Sequence, residues 1–359
     1  MARVLYGVHG TGRGHAIRAL TVARRYPAHD FLFVSHAEGA RLLRGRFAVL
    51  DCPNPITQVS AHRVDILPTL WRTAATLRQG SRWMGEVRRA AETFKPDVAI
   101  TDYEFFVPRV ARELGLPCLS LDNQHAITKL RPSFPPSAFP NWLGTAIPIE
   151  LLFSAADQYL VACFFEAPLR HDHPRVRWAP SLIRDEVIAL RAEQGDHVVA
   201  YQGHPTSRRF IEALGSLGRP VHLYGQGSTP AGSVRMMGFR EDAFLADLAT
   251  CAYVVCGGGH TLISEALCLG KPVLALPVAG MFEQFLNAHY LQRNGLGDHA
   301  LMAVFSASTL RDFESRLDRF RHRVRQRDFV GNAAVFASLD DFIAGRWREP
   351  SARRLARGT

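Results

Sequence analysis

The sequence predicts an α/β chain of two Rossmann-like domains, each a parallel sheet wrapped by helices. Three observations predict it. Short apolar runs alternate with helical stretches through the first half. A second series of the same kind starts near His197. In both halves a strand empties into a glycine-rich turn that opens a helix, the arrangement by which doubly wound sheets bind ligands at their C-terminal edge. The 359 residues are enough for two domains of ordinary size.

In the first half, strands are expected at residues 3–8, 31–35, 47–52, 97–101, 118–121 and 158–162, with helices such as 16–25 and 69–94 between them. In the stretch ILPTLWRTAATLRQGSRWMGEVRR around the latter, Leu67, Leu70, Trp71, Ala74 and Leu77 can share one face. A helix packed on the sheet is the expectation there, and contact with lipid or a hydrophobic acceptor is the alternative. The segment RPSFPPSAFPNW, with Pro132, Pro135, Pro136 and Pro140, is expected to be a long loop. The second series reads HVVAYQG, PVHLYGQG, AYVVCGGG and PVLALPVAG. Between the two lies APLRHDHPRVRWAPSLIRDEV, a Pro-, Arg- and His-rich connection, and residues 309–346 read as helices. The division is therefore 1–165, a connection at 166–195, 196–310, and C-terminal helices with a basic tail at 311–359.

Composition narrows the class. Hydrophobic residues at 47% and charged residues at 21% describe a globular chain. No apolar run reaches membrane-spanning length, and MARVLYGVHG lacks the features of a signal peptide, so a cytoplasmic location is expected. The six cysteines form no CxxC pair and read as buried, reduced thiols. A net charge of +10, concentrated after residue 310, fits an anionic partner such as a lipid phosphate or membrane surface, against the plainer reading of a solvated helix face. No aromatic-basic module for nucleic acid is present. The triplets at Asp102 (DYE) and Asp172 (HDH), the nearest to a metal-binding set, lack the context of a metal site, and none is expected.

The first glycine turn is Gly10-Thr11-Gly12-Arg13-Gly14-His15. Gly12 and Gly14 let the backbone approach a ligand closely, and the following helix N-terminus suits an anion. His15 stands where a dinucleotide fingerprint would have glycine, and strand two ends on Ser35-His36 without the acidic residue, so a nicotinamide cofactor is not expected. The helix dipole disfavours a charged imidazole at His15 and keeps it a neutral base, fit to deprotonate a hydroxyl. Asp102 is a candidate to orient that base, with a helix N-cap as its competing role. Glu104, Asn123 and His125, with Asp122 and Gln124, form a polar cluster suited to a hydroxyl-rich acceptor.

The second glycine turn is in VVCGGGHTLISEALCLGKPVLALPVAGMFEQFLNAHYL. A buried strand opens at Gly258-Gly259 into a helix starting at His260 or Thr261, whose N–H groups form an anion site. Glu265 lies one turn beyond Thr261 on the same side, where it can accept two bonds from a ribose diol. Glu283, Gln284 and Asn287 follow the next strand, with side chains able to bond sugar hydroxyls.

This pattern, Gly258-Gly259, Glu265-Ala266, Gly270-Lys271-Pro272, Pro277, Gln284 and Asn287-Ala288, resembles the nucleotide-sugar signature of GT-B glycosyltransferases. That superfamily includes the UDP-glucuronosyltransferases and the MurG-type enzymes of peptidoglycan synthesis. GTGRGH and KPDVAITD resemble the first-domain turn and strand of the same group. The resemblance implies a GT-B fold with two domains facing each other across a cleft, the first binding acceptor and the second the nucleotide sugar. It implies inverting, metal-independent transfer from a nucleoside-diphosphate sugar, by family habit a UDP-sugar, to a hydroxyl, with His15 as base and no further cofactor. It assigns the ribose to Glu265, the diphosphate to Gly258, Gly259, His260 and Thr261, and the sugar to Gln284 with Glu283 or Asn287. The turn at Gly203 would close over the phosphates and Phe239 would meet the base. A lipid-linked acceptor and peripheral contact with the inner membrane face are expected by the same likeness. The alternatives are a UDP-N-acetylglucosamine 2-epimerase and a non-catalytic nucleotide-sugar binder.

Overall fold

The computed structural model describes residues 1–170, 175–205, 208–226, 232–238 and 240–347. Phe239, the triplet at Asp172 and the tail beyond residue 347 lie outside them.

Strands β1 (Arg3–Val8), β2 (Asp30–Ser35), β3 (Ala48–Asp51), β4 (Val98–Asp102), β5 (Cys118–Asp122), β6 (Gln158–Ala162) and β7 (Val176–Ala179) form the first sheet, in the order β3-β2-β1-β4-β5-β6-β7. Strands β8 (Val198–Pro205), β9 (Val221–Gln226), β10 (Val234–Met237), β11 (Tyr253–Cys256), β12 (Val273–Ala275) and β13 (Gly297–His299) form the second, ordered β10-β9-β8-β11-β12-β13. Every pairing in both sheets is parallel. Each order reverses once, between β1 and β4 and between β8 and β11, and connections leave such a reversal open as a crevice at the carboxyl ends of the strands.

Parallel sheets covered on both faces need apolar side chains at every position. In β1, Val4, Tyr6 and Val8 enter one core and Leu5 the other, as a two-residue repeat requires. The stretch read as a connection contains β7, an edge strand of the first sheet. The helix Asn332–Ile343 sends Val335, Leu339 and Phe342 into the core of that same sheet. The chain therefore returns to its first half at its end.

Two expectations are corrected. Residues 69–94 are not one helix packed on the sheet but two, Ile66–Arg78 and Gly80–Phe94, divided at Gln79. The first buries no residue, and Leu67 and Trp71 are 78% and 73% exposed. The proline-rich segment is a loop only to Pro135: a 3-10 turn, Pro136–Ala138, leads into a helix, Phe139–Pro148. Pro140 fits its first turn because the missing N–H there has no partner within the helix to lose.

Candidate active site

At the first reversal, β1 ends in His9 and the glycine turn, and β4 ends in Asp102. Gly12 has φ +75°, which the turn needs, and the helix Gly14–Arg25 begins directly after it. His15 Nδ1 lies 2.7 Å from Asp102 Oδ1. A carboxylate only accepts, so Nδ1 carries the proton and donates it, leaving Nε2 as the acceptor, with the Gln124 amide nitrogen 3.5 Å away. Asp102 is fully buried and also accepts from Arg18 Nε at 2.7 Å and Nη2 at 2.9 Å. Burial works against the Arg18 charge, yet the facing carboxylate holds its pKa above the ordinary value. Arg18 Nη1 further donates to Asn123 Oδ1 at 3.1 Å.

The sequence reading did not identify Arg18, although its spacing of three from His15 puts both on one helix face. Nor did it identify the rings around His15. His9 lies 5.1 Å from it and Tyr103 stacks at 6.3 Å. His9 Nδ1 accepts from Asn54 Nδ2 at 2.6 Å, and burial, then its histidine neighbours, keep it well below the usual pKa. Burial likewise lowers His36 to about 4, with Asp51 opposing and His15 adding to the fall. Tyr103, directly after Asp102, has φ +54°, a strained conformation for a bulky residue and a frequent mark of a functional site.

Three residues expected on the acceptor side are engaged elsewhere. Glu104 is buried and accepts from the N–H groups of Phe106 at 2.8 Å and Val107 at 2.7 Å, capping the helix Val107–Glu113. Burial pushes its carboxyl up to about 7 against those bonds. His125 is buried, with Nδ1 2.6 Å from Asp122 Oδ2 and Nε2 3.2 Å from Ser154 Oγ. Asn123 faces the cleft but donates to Glu283 Oε1 at 2.9 Å.

That last bond crosses between the halves. Gln124 Nε2 donates to Glu283 Oε2 at 3.1 Å and lies 3.5 Å from His15 Nε2, so Glu283 is carried close to the base by amides of the other half. Gly14 meets Thr261 so closely that a Cβ on it would lie 2.5 Å from Thr261 Oγ1. The two glycine turns, far apart in sequence, therefore face each other.

At the second reversal, Gly258 takes φ +88° and Gly259 precedes the helix His260–Cys268. The imidazole of His260 is buried, with Nε2 3.3 Å from Ser181 Oγ. Burial, then the charges of Arg18 and His15, hold its pKa well below the ordinary value. Gln284 Oε1 accepts from the Val278 N–H at 2.9 Å, and Asn287 Nδ2 donates to the Gly258 carbonyl at 3.1 Å, so both brace the turn. Gly203 is exposed at the end of β8, beside the buried amide of Gln202, whose Nε2 has no hydrogen-bond partner among the described residues.

Glu265 is buried and paired with Arg184, another residue the sequence reading missed: Nη2 donates to Oε2 at 3.0 Å, and Nε lies 2.7 Å from Oε1. The second contact is misaligned, so Oε1 is a buried acceptor without a hydrogen bond among the described residues. Burial raises the Glu265 pKa and Arg184 opposes the rise.

Among the described residues, His197, His222 and Asp247 have the make-up of a metal site, with ligand atoms within 4.8 Å of one another. They sit at the opposite, N-terminal end of the second sheet, where Asp247 already accepts from His222 and Tyr224.

A family model described as glycosyl transferase family 1 matches residues 2–318. A protein of Methanosarcina acetivorans named as an uncharacterized glycosyltransferase is 24% identical over 326 residues, which is 82% of this chain and 84% of the relative. The structure of a UDP-glucose:anthocyanidin 3-O-glucosyltransferase in complex with UDP matches at TM-score 0.66 and 13% identity, covering 96% of this chain and 99% of its own. MurG of Acinetobacter baumannii matches at TM-score 0.59 and 15% identity, over 95% and 100%. The two structures establish the fold, the GT-B arrangement expected from the motifs.

Proposed function

The chain belongs to glycosyl transferase family 1 and is a glycosyltransferase, and from that premise we propose that it transfers a sugar with inversion from a UDP-sugar to an acceptor hydroxyl, without a bound metal ion. The observation that carries this reading is the His15–Asp102–Arg18 cluster facing the second glycine turn. His15 Nε2 takes the proton of the acceptor hydroxyl as its oxygen attacks the anomeric carbon. The bond from that carbon to the diphosphate breaks, and the electron pair leaves with the phosphate oxygen. Asp102 orients the imidazole and stabilises the imidazolium, while Arg18 fixes Asp102 and keeps it from taking the proton itself. The leaving diphosphate is met by the N-terminus of the helix His260–Cys268, a source of positive potential that needs no cation. Glu265 Oε1 accepts from the ribose.

The acceptor is lipid-linked or carries an apolar group. Ile66, Leu67, Leu70, Trp71 and Leu77 are exposed on one helix, and Phe139, Leu143, Ile147 and Leu151 on another part of the same half. A groove of about 350 Å³ lies beside Trp142, Leu143, Ile147 and Arg170. No described helix is long and apolar enough to cross a membrane, so contact with lipid is peripheral, at the cytoplasmic face. The protein is expected to sediment with anionic liposomes at low salt, and failure to do so removes the membrane part of the proposal.

The deciding test is titration with UDP, dTDP, GDP and NAD in EDTA, beside Glu265→Ala. UDP is expected to bind without metal, and the variant to lose about tenfold to a hundredfold in affinity, the worth of charged hydrogen bonds. If no nucleotide binds, or the variant binds as well as the native protein, the donor site is misplaced.

A further inference from the structure

Arg184 comes from the segment that follows β7, outside every motif of the nucleotide-sugar signature. Its guanidinium is nonetheless buried against Glu265, with only 5% of the side chain exposed. Two groups hold it. Nη1 pairs with Glu241 Oε1, and Nη2 donates to Glu265 Oε2 at 3.0 Å. Glu241 is in turn bonded through Oε2 to Arg13 Nη2 at 3.1 Å, and Arg13 stands in the glycine turn of the first half. Arg184 is therefore fixed from behind and presents its fork to Glu265.

The geometry leaves Glu265 half-satisfied in a particular way. Oε2 has its donor, whereas Oε1 lies 2.7 Å from Nε yet takes no aligned hydrogen bond among the described residues. A buried carboxylate without a facing cation protonates, because burial disfavours its charge. The charged groups that face Glu265 are Arg184, which stabilises the carboxylate, and Glu241 and Glu186, which oppose it; the thiol of Cys268 is also near. Arg184 is the one cation in that set.

We propose that Arg184 is the positioning residue of the donor site, holding Glu265 ionised and oriented so that Oε1 accepts a ribose hydroxyl. This rests on Glu265 being the ribose acceptor, as proposed above. The guanidinium has two jobs that a neutral side chain cannot do. It supplies the charge that keeps the carboxylate deprotonated, and its planar fork fixes the rotation of the carboxylate about its last bond.

The test compares UDP with 2′,3′-dideoxy-UDP, whose affinity ratio isolates the ribose hydroxyls and cancels the titration of the phosphates. The ratio is measured from about pH 6 to about pH 9, across the range into which a buried carboxyl without its cation rises. The native protein is expected to hold a constant ratio on the order of tenfold to a hundredfold, as for a hydrogen bond to a charged group. Arg184→Gln is expected to show a ratio near one at the acid end that recovers as pH rises and Glu265 ionises. Arg184→Lys keeps the charge and loses the fork, so its ratio is reduced and flat with pH. It carries the test if the glutamine variant does not fold.

A glutamine variant with the native ratio at every pH overturns the proposal, as does a lysine variant with the full native ratio. The donor-site reading fails separately. It falls if Glu265→Ala keeps the native preference for UDP over the dideoxy compound, whatever the Arg184 variants do.

Discussion

The two sheet reversals are built on one topology and finished differently. At the first, between β1 and β4, the important groups satisfy each other: Asp102 accepts three hydrogen bonds, two from Arg18 and one from His15. Unpaired buried atoms there, Gln124 Oε1 and both ring nitrogens of His36, lie around that cluster and not within it. At the second, between β8 and β11, they belong to the donor-side groups themselves, Glu265 Oε1 and Gln202 Nε2, among the described residues. A group that must act on every substrate gains from being preorganised before substrate arrives. A group that binds a hydroxyl-rich ligand has to keep lone pairs and protons for it, at a cost in stability of the unliganded protein. The two reversals thus divide the work of a glycosyltransferase into a finished base and an unfinished cradle.

The division is broken most severely at His15. His15→Ala is expected to lower single-turnover transfer by about a thousandfold, within the usual worth of a general base. UDP affinity should stay at the native value, and a parallel loss of nucleotide binding would show that the reversals do not divide the work.

Asp102→Asn comes next. It is expected to cost on the order of a hundredfold in turnover, because an amide that donates to Nδ1 selects the wrong imidazole tautomer. It also leaves Arg18 as a buried charge without its counter-ion, for about 3 kcal/mol of stability. Denaturant unfolding and transfer measured on one preparation separate the two effects. An unchanged stability would mean that the ion pair is not buried as described.

The pH dependence of stability sharpens the contrast. Glu104, buried beneath the first reversal, has a folded pKa of about 7, above an unfolded value of about 4.3. The folded state therefore binds its proton more tightly. The contribution is fully present below the unfolded value and is lost as pH rises through about 7, to a total of about 4 kcal/mol. Glu104→Gln lacks this titration, so the native protein's stability is expected to fall relative to the variant between about pH 4.5 and pH 7.5. Paired melting curves at those two pH values check it, and a constant difference would refute the assignment.

The smallest effect is expected where the reversals touch. A methyl at Gly14 would press on Thr261 Oγ1, and Gly14→Ala should lower kcat/KM by about threefold to tenfold through a small misplacement across the cleft. An unaffected variant would mean that the halves stand further apart during turnover.

The elements most legible in the sequence were those with strong local signals. Apolar alternation identified six strands of the first sheet within a residue or so of their observed ends, and the triple glycine marked the start of the helix His260–Cys268. The short strands Val176–Ala179, Val234–Met237 and Gly297–His299 were missed, since VRWA and VRMM are interrupted by arginine and GDH has no apolar side chain, so none reads as an apolar run. His15 and Asp102 were read as partners because each follows a strand that had to end at one crevice. Glu104 and His125 were read as cleft residues on the same argument. Burial put them instead under a helix and against Asp122, and nothing in their spacing distinguishes a residue at a strand end that faces the cleft from one that turns beneath it.

By itself the sequence determined the two parallel sheets, the two glycine turns at their carboxyl ends and the family to which the turns belong, because each depends on periodicity and on residues adjacent in the chain. Only the tertiary structure decided which charges meet. Arg18 is separated from Asp102 by 84 residues, Arg184 from Glu265 by 81 and Asn123 from Glu283 by 160. Such pairs form when packing brings distant segments out of water together, and the cost of burying a lone charge then selects the partner.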